Sequence, residues 1–261
     1  TNFQINEIAY HPNIKDLIFV ATNTGVYKST DNLQTFSRSF PSQNIIELTF
    51  HPTSDSILYI YNASASGNNR DRILVSRDLG ATYLASGLIS GNNGNTRVEL
   101  STSPICNSCV YFASNNGVWI STNEGQTFSF RSNSTQTNGG FAVSDVDTNF
   151  MAYGYVDLDN SSDGGRTFVQ RTAWSLGNTN GNTSSLAASY ATSTNYIHED
   201  VRNVKWINGV FYAATDGLLC KSNNNGVNWQ ILTEGTGIRE NYKLGLSQSN
   251  HYRSMIGSQD N

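Results

Sequence analysis

The chain has 261 residues, a formal net charge of −4, 14% charged and 37% hydrophobic residues, enough for one large domain or two small ones with a substantial core. Asn (33), Ser (32) and Gly (22) fill a third of it, yet 13 Tyr, 12 Phe and 4 Trp exclude a disordered polar tract, because that much apolar surface offsets the entropy of ordering. The 16 Lys and Arg form no basic run, so no nucleic-acid partner is expected, and no apolar run approaches the roughly 20 residues of a membrane helix, so no direct membrane insertion is expected.

Thr1 to Tyr10 is patterned like a strand and not like a signal peptide. From there, short runs of β-formers recur in groups. Ile5 to Tyr10, Leu17 to Ala21 and Gly25 to Lys28 lead into Ser29-Thr-Asp-Asn-Leu-Gln-Thr-Phe36. Ile45 to Phe50 and Ile57 to Tyr61 precede Ser76-Arg-Asp-Leu-Gly-Ala-Thr-Tyr83. Val98 to Ser101, Val110 to Ser114 and Gly117 to Ile120 precede Ser121-Thr-Asn-Glu-Gly-Gln-Thr-Phe128. Phe141 to Ser144 and Phe150 to Val156 precede Ser161-Ser-Asp-Gly-Gly-Arg-Thr-Phe168. Val201 to Trp206, Val210 to Ala214 and Gly217 to Cys220 precede Ser222-Asn-Asn-Asn-Gly-Val-Asn-Trp229. A sixth unit starts with Tyr242 to Leu246 and Tyr252 to Ile256.

The five octapeptides agree at fixed offsets. Ser opens each, Asp or Asn stands third (Asp31, Asp78, Asn123, Asp163, Asn224), and Gly is fifth in four (Gly80, Gly125, Gly165, Gly226). An aromatic closes each (Phe36, Tyr83, Phe128, Phe168, Trp229). The first three spacings, 47, 45 and 40, are close to the period of a propeller blade, and the long connection 172–196 accounts for the fourth, 61. Four short strands per period, joined by Gly, Asn, Asp and Ser turns without helical periodicity, predict an all-β fold: a β-propeller of four-stranded antiparallel blades. The expected blades cover approximately 4–40, 44–89, 96–131, 139–172 and 200–233, with a partial sixth at 241–261. The phase of the repeat suggests one propeller that draws its remaining blades from the same polypeptide.

The octapeptide resembles the Asp-box, or bacterial neuraminidase repeat, of sialidases, sortilin-type receptors and two-propeller xyloglucan-degrading glycosidases. Its role is structural: the carboxylate accepts backbone N–H bonds across a tight turn, Gly supplies positive φ, and the aromatic wedges between layers. Leu33 in place of Gly makes the first copy atypical. The stretch His198-Glu-Asp-Val-Arg-Asn-Val-Lys-Trp206, with Thr215 to Leu218 and Gly257 to Asn261, resembles large secreted propeller proteins of Bacteroidetes-type bacteria that carry a C-terminal sorting domain. In those the first motif commonly reads His-x-Asp-x-His; Arg202 stands where the second His would be, which speaks against a two-histidine site.

In an up-and-down meander, successive turns alternate between the two faces of the disc. The octapeptides should share one face with His11-Pro12, His51-Pro52 and Cys106 to Cys109, and the two histidines read as turn residues. The opposite face collects the long connections 62–71, 86–95, 132–140 and 172–196, and function tends to ride on such loops. On that face His198, Asp200 and Arg202 alternate toward the fifth innermost strand and are candidates for binding a polar ligand, or for tying down the long loop. Trp174 and Tyr196 bracket the loop as stacking platforms or apolar anchors, and Arg70, Arg72, Gln259 and Asp260 project the same way.

Asp157, Asp159 and Asp163 have the spacing of a calcium loop but lack its Gly and its closing Glu; turn chemistry explains them without a metal. No cofactor is expected. Cys106 and Cys109 read as a local disulfide or two idle thiols, and Cys220 as a small core residue. The Arg-Ile-Pro signature of sialidases is absent, and no catalytic residue is assigned. The leading expectation is a secreted or cell-surface module that binds glycans or surface polymers without catalysis. A glycoside hydrolase fragment and a sortilin-like receptor for another extracellular protein are the alternatives. Asp55-Ser56-Ile57 matches a short O-glycosylation pattern of Bacteroidetes exports, and Asn62, Asn133, Asn160 and Asn182 sit in N-x-Ser/Thr sequons.

Overall fold

The structure is a computed structural model that describes residues 3–64, 72–86, 89, 97–133, 139–173, 196–232, 240–246 and 254–259, the last two segments and Arg72 as backbone. It is all β. Five sheets each hold four consecutive strands in sequence order. Blade 1 contains β1 (Ile5–Tyr10), β2 (Ile18–Thr22), β3 (Gly25–Ser29) and β4 (Ser37–Pro41); blade 2 contains β5 (Ile45–Phe50), β6 (Leu58–Asn62), β7 (Arg72–Ser76) and β8 (Leu84–Ala85). Blade 3 runs through β9 (Val98–Ser103), β10 (Cys106–Ser114), β11 (Gly117–Ser121) and β12 (Ser129–Ser132). Blade 4 comprises β13 (Phe141–Val143), β14 (Met151–Gly154), β15 (Leu158–Ser161) and β16 (Val169–Gln170), and blade 5 β17 (Asn203–Ile207), β18 (Val210–Ala214), β19 (Leu219–Ser222) and β20 (Gln230–Ile231). A further antiparallel pair joins β21 (Glu240–Leu246) to β22 (Ser254–Gln259).

Blades stack face to face, so the second strand of a blade is covered on both sides. That is why β2, β6 and β14 are buried at every residue and read as continuous apolar runs, not as alternating ones. Four apolar clusters sit between consecutive blades. Phe19 and Val26 meet Leu58 and Leu74 between blades 1 and 2, and Tyr59 and Tyr61 meet Phe112 and Trp119 between blades 2 and 3. Tyr111 meets Met151 and Tyr153 between blades 3 and 4, and Ala152 meets Trp206 and Phe211 between blades 4 and 5. A fully buried Val, Leu, Phe or Met among them contributes about 1.5–3 kcal/mol by leaving water.

The octapeptides are the turns between third and fourth strands. In each, the opening Ser Oγ donates to the third-position oxygen at 2.8–2.9 Å, and that oxygen accepts the seventh-position N–H, as from Thr82 to Asp78 at 2.8 Å and from Asn228 to Asn224 at 2.8 Å. The Ser Oγ also accepts the fifth-position N–H, which forces that residue into the left-handed region: φ is +80° at Gly80, +78° at Gly125 and +68° at Leu33. The closing aromatics Tyr83, Phe128, Phe168 and Trp229 pack into the four inter-blade clusters, whereas Phe36 is 52% exposed.

Backbone N–H groups of four octapeptides reach carbonyls at the first-to-second turn or the start of the second strand in their own blade: Asn32 to Asp16, Leu79 to Ser56, Glu124 to Ser108 in β10 and Gly164 to Asn149. The octapeptides and the His11 and His51 turns therefore share one face. His11 Nδ1 accepts the N–H of Asn13 and Ile14, and His51 Nδ1 that of Thr53 and Ser54; both histidines are turn residues. Cys106 and Cys109 form a disulfide at the start of β10, and Cys220 is fully buried, its thiol pushed up to about 12 by desolvation.

Candidate functional site

The innermost strands β1, β5, β9, β13 and β17 surround a central channel. Two cavities lie along it, of about 520 and 560 Å³. Four residues line both: Glu7, Glu47, Glu99 and Asn203.

These four hold one position of the repeat. In every blade the opening Ser of the octapeptide pairs with a second-strand residue (Ile18, Leu58, Val110, Met151, Phe211), and the residue three further on faces the innermost strand. Its partner is Glu7 opposite Ala21, Glu47 opposite Tyr61, Glu99 opposite Ala113 and Asn203 opposite Ala214, while in blade 4 Gly154 bonds Gly140. At this level five blades present three carboxyls, an amide and a glycine, and in the sixth unit the bulge between Asn241 and Lys243 puts Lys243 at the same repeat position. Bulges beside Glu7 and Glu47 place one extra residue, Asn6 or Ile46, before each. Gly140 has φ +80°, and a Cβ there would stand 2.9 Å from the Asn203 Cα, so backbone contact with β17 leaves no room for a side chain.

Desolvation dominates the electrostatics of the ring. Burial pushes the Glu47 carboxyl well above its usual range, and the charges of Glu99 and Glu7 push it further. Glu99 is raised by burial and then by Glu7, against the N–H groups of Gly140 and Phe141 across the blade boundary. Glu7 is raised by burial, with the Ile8 N–H and Lys205 opposing. One cavity forms the mouth, which adds Gln4, Asn6, Asn44, Arg97 and Arg202; Asn6 Nδ2 donates to Asn44 Oδ1 at 3.1 Å. The other holds Tyr10, Phe50, His51, Asp145 and Trp206.

The motif around His198 is arranged differently from its expected alternation. β17 begins only at Asn203, and Asp200 takes φ +57°, so the three side chains do not share one side of a strand. His198 is buried, its Nδ1–H donating to the Glu199 carbonyl at 3.2 Å. Asp200 pairs with Arg202 at 3.2 Å, and Asp216 pairs with it at 3.0 Å; of the three only Arg202 lines the mouth. Tyr196 is 3% exposed and offers no stacking face. Trp174, Arg70 and Asp260 lie outside the described residues, as does most of the long connections; Arg72 opens β7 and Gln259 closes β22.

Asp157 accepts Gln170 Nε2 at 2.9 Å and faces Thr172 Oγ1, while Asp163 is occupied by its own turn, accepting Thr167 N at 3.0 Å. With Asp159 on β15 they do not converge, and among the described residues no group of His, Cys, Asp and Glu is placed to hold a metal ion. Asn62 and Asn160 are buried within their strands, which closes those two sequons to modification. Sequence reasoning passed over Glu7, Glu47 and Glu99. Their common offset from the strand-pairing frame was the signal, obscured by hairpin loops of unequal length.

No family model and no curated protein matches the chain. Solved propeller structures do. An ancestral GH74 enzyme matches at 16% identity over 92% of this chain and 33% of its own, with a TM-score of 0.58. The GH74 xyloglucanase from Xanthomonas campestris matches at 13% over 98% and 43%, with a TM-score of 0.59. YCF48 bound to D1 peptide matches at 10% over 97% and 74%, with a TM-score of 0.57. At these identities the likeness shows the β-propeller fold, and the chain spans about a third of the first of these enzymes.

Proposed function

We propose that the chain is an extracellular β-propeller module that binds a hydroxyl-rich polymer, a glycan, at the mouth of its central channel without cleaving it. The carrying observation is the composition of that mouth. Gln4, Asn6, Asn44 and Asn203 supply amides, Glu7, Glu47 and Glu99 carboxyls, and Arg97 and Arg202 guanidinium groups, all within one cavity of about 560 Å³. Sugar hydroxyls both donate and accept, and a mixed set of amide, carboxyl and guanidinium groups answers both roles. The Cys106–Cys109 disulfide fits an oxidising compartment and supports the extracellular placement. The experiment is calorimetric titration of the full chain with neutral and charged glycan oligomers, with Arg202→Ala expected to weaken binding severalfold; no binding by any glycan overturns the reading.

The second reading, a glycoside hydrolase, draws on the same ring, because hydrolysis by paired carboxylates needs one raised acid beside an ionised partner. GH74 enzymes share the fold. In this chain burial raises all three glutamates, which favours binding over catalysis. Turnover of β-glucan or sialylated substrates, lost in Glu99→Gln, would reverse that preference. Capture of a peptide in place of a glycan, as YCF48 binds one, would favour a protein partner.

A further inference from the structure

We propose that the cavity on the octapeptide side of the channel is a second seat for the glycan, taking an uncharged sugar whose oxygen accepts the Nε2–H of His51. This rests on the glycan reading above and adds a contact at the opposite end of the channel from Arg202.

His51 carries the argument. It is 4% exposed and lines this cavity of about 520 Å³. Its Nδ1 accepts the Thr53 and Ser54 N–H groups at 3.2 and 2.9 Å, which leaves the ring proton on Nε2. That N–H has no acceptor among the described residues, whereas a buried donor ordinarily has one. The turn itself does not need it. In blade 4 the same repeat position is Ser144, whose hydroxyl accepts the Val146 and Asp147 N–H groups, both at 3.3 Å, and so closes the turn without a second donor.

His11 has the same turn contacts, and its Nε2–H crosses to blade 2 and donates to the Asp55 carbonyl at 2.9 Å. Like contacts at Nδ1 hold the two rings alike, so His51 Nε2 extends toward blade 3. There the connection 51–57, which carries Asp55 in blade 2, is replaced by the turn at Pro104 and Ile105, with Cys106 tied to Cys109 just beyond it. Pro104 lines the cavity, and no carbonyl of that tighter turn accepts the His51 proton.

Two hydroxyls line the same cavity. Thr49 on β5 and Ser101 on β9 hold one repeat position, opposite Tyr59 and Tyr111. Ser101 Oγ accepts the Val143 N–H at 3.2 Å and keeps its own proton to give, and Thr49 Oγ1 has no hydrogen-bond partner among the described residues. The charged residues described around the cavity are Lys205, exposed on β17, Asp145, whose oxygens take the Asn208 and Gly209 N–H groups, and Glu7, Glu47 and Glu99 at the end shared with the mouth. Four carboxyls against one ammonium disfavour an anion. The neutral N–H and O–H donors call for an uncharged oxygen, and a sugar hydroxyl supplies one while donating its own proton.

The test titrates the full chain, labelled with nitrogen-15 at its four histidines, with cellohexaose, mannohexaose and a galacturonate hexamer. At least one neutral hexamer is expected to bind and to move the His51 Nε2 resonance, while that of His11, held by Asp55, stays in place. By calorimetry His51→Ser, which keeps an acceptor for the turn, should weaken that binding severalfold with the melting temperature little changed. His11→Ser should do the reverse, lowering the melting temperature and leaving the affinity as it was. A neutral hexamer that binds with His51 Nε2 unmoved, or equally well to His51→Ser, overturns the seat and leaves the glycan reading standing. Binding by the galacturonate hexamer alone overturns the uncharged ligand and with it the seat; binding by none of the three overturns the glycan reading as well. Should His51→Ser fail to fold, the His51 resonance decides alone.

Discussion

Ser39 Oγ on β4 donates to the carbonyl of Gly80, in the octapeptide of the next blade, at 2.6 Å. The arrangement recurs around the disc: Ser86 Oγ reaches Gly125, Arg131 Nε reaches Gly164 at 2.8 Å, and Asn160 Nδ2 reaches Asn225 at 2.7 Å. The second to fifth octapeptides are thus each both a turn within their own blade and an acceptor for the blade before. The donors are two serines, an arginine and an asparagine, and they reach the fifth-position carbonyl in two octapeptides (Gly80, Gly125) and the fourth-position carbonyl in the other two (Gly164, Asn225). Ser39→Ala should lower stability by about 1 kcal/mol, because the Gly80 carbonyl and the Tyr83 hydroxyl, 2.9 Å from Ser39 Oγ, both lose their partner. Denaturant unfolding checks this, with an unchanged midpoint counting against the staple.

Leu33 sits at φ +68° where the other octapeptides carry Gly. A side chain there is strained by about 1–2 kcal/mol, and glycine returns roughly half of that as unfolded-state entropy. Leu33→Gly is expected to raise the melting temperature slightly, a gain of about 0.5–1 kcal/mol. A drop would mean that Leu33 packing outweighs its backbone strain.

Gly140→Ala should be severely destabilising, of the order of 3 kcal/mol, since the new Cβ meets the Asn203 Cα and the Val204 N at 2.9 Å on a backbone with φ +80°. The control is Gly209→Ala, also at positive φ but with its nearest neighbour 3.5 Å away, which should cost clearly less. Equal losses in thermal melts would place the whole effect in φ.

The turn aspartates and the ring glutamates give opposite pH dependences. Hydrogen bonds from Thr35 and Thr82 hold Asp31 and Asp78 down at about 2, so their contribution is present above the unfolded range near 3.8 and is lost as pH falls toward 2. Asp78→Asn should keep the turn, as Asn123 and Asn224 do in theirs, and flatten that acid limb, whereas Asp78→Ala should lower the melting temperature at every pH.

Glu47, Glu99 and Glu7 are raised, so folding binds extra protons. Their contribution is complete below the unfolded value of 4.5 and is lost as pH rises through the folded range. Glu47→Gln is expected to gain stability relative to wild type as pH rises, seen in melts from pH 5 to 9. Parallel curves would show that the carboxyl is not desolvated.

The propeller was legible because its information is local and repeated. Ser, Asp or Asn, and Gly at fixed offsets close one hydrogen-bonded turn, and five copies in phase with β-rich runs leave little choice of fold. The disc face of the His11 and His51 turns followed from strand order alone. The motif at His198 misled because a single left-handed residue, Asp200, resets which way its neighbours point, a backbone that Asp adopts more readily than most residues but that its presence does not require. The ring of Glu7, Glu47 and Glu99 belongs to no contiguous motif. Its members lie 40 and 52 residues apart, and only the pairing of each innermost strand with its neighbour, through bulges and hairpins of different length, brings them to one level of one channel. Local hydrogen bonding within each turn is written in the sequence. The grouping of charge at the centre was decided by the packing of blades around an axis, which desolvates carboxyls on three separate strands and leaves no room for a Cβ at Gly140 against β17.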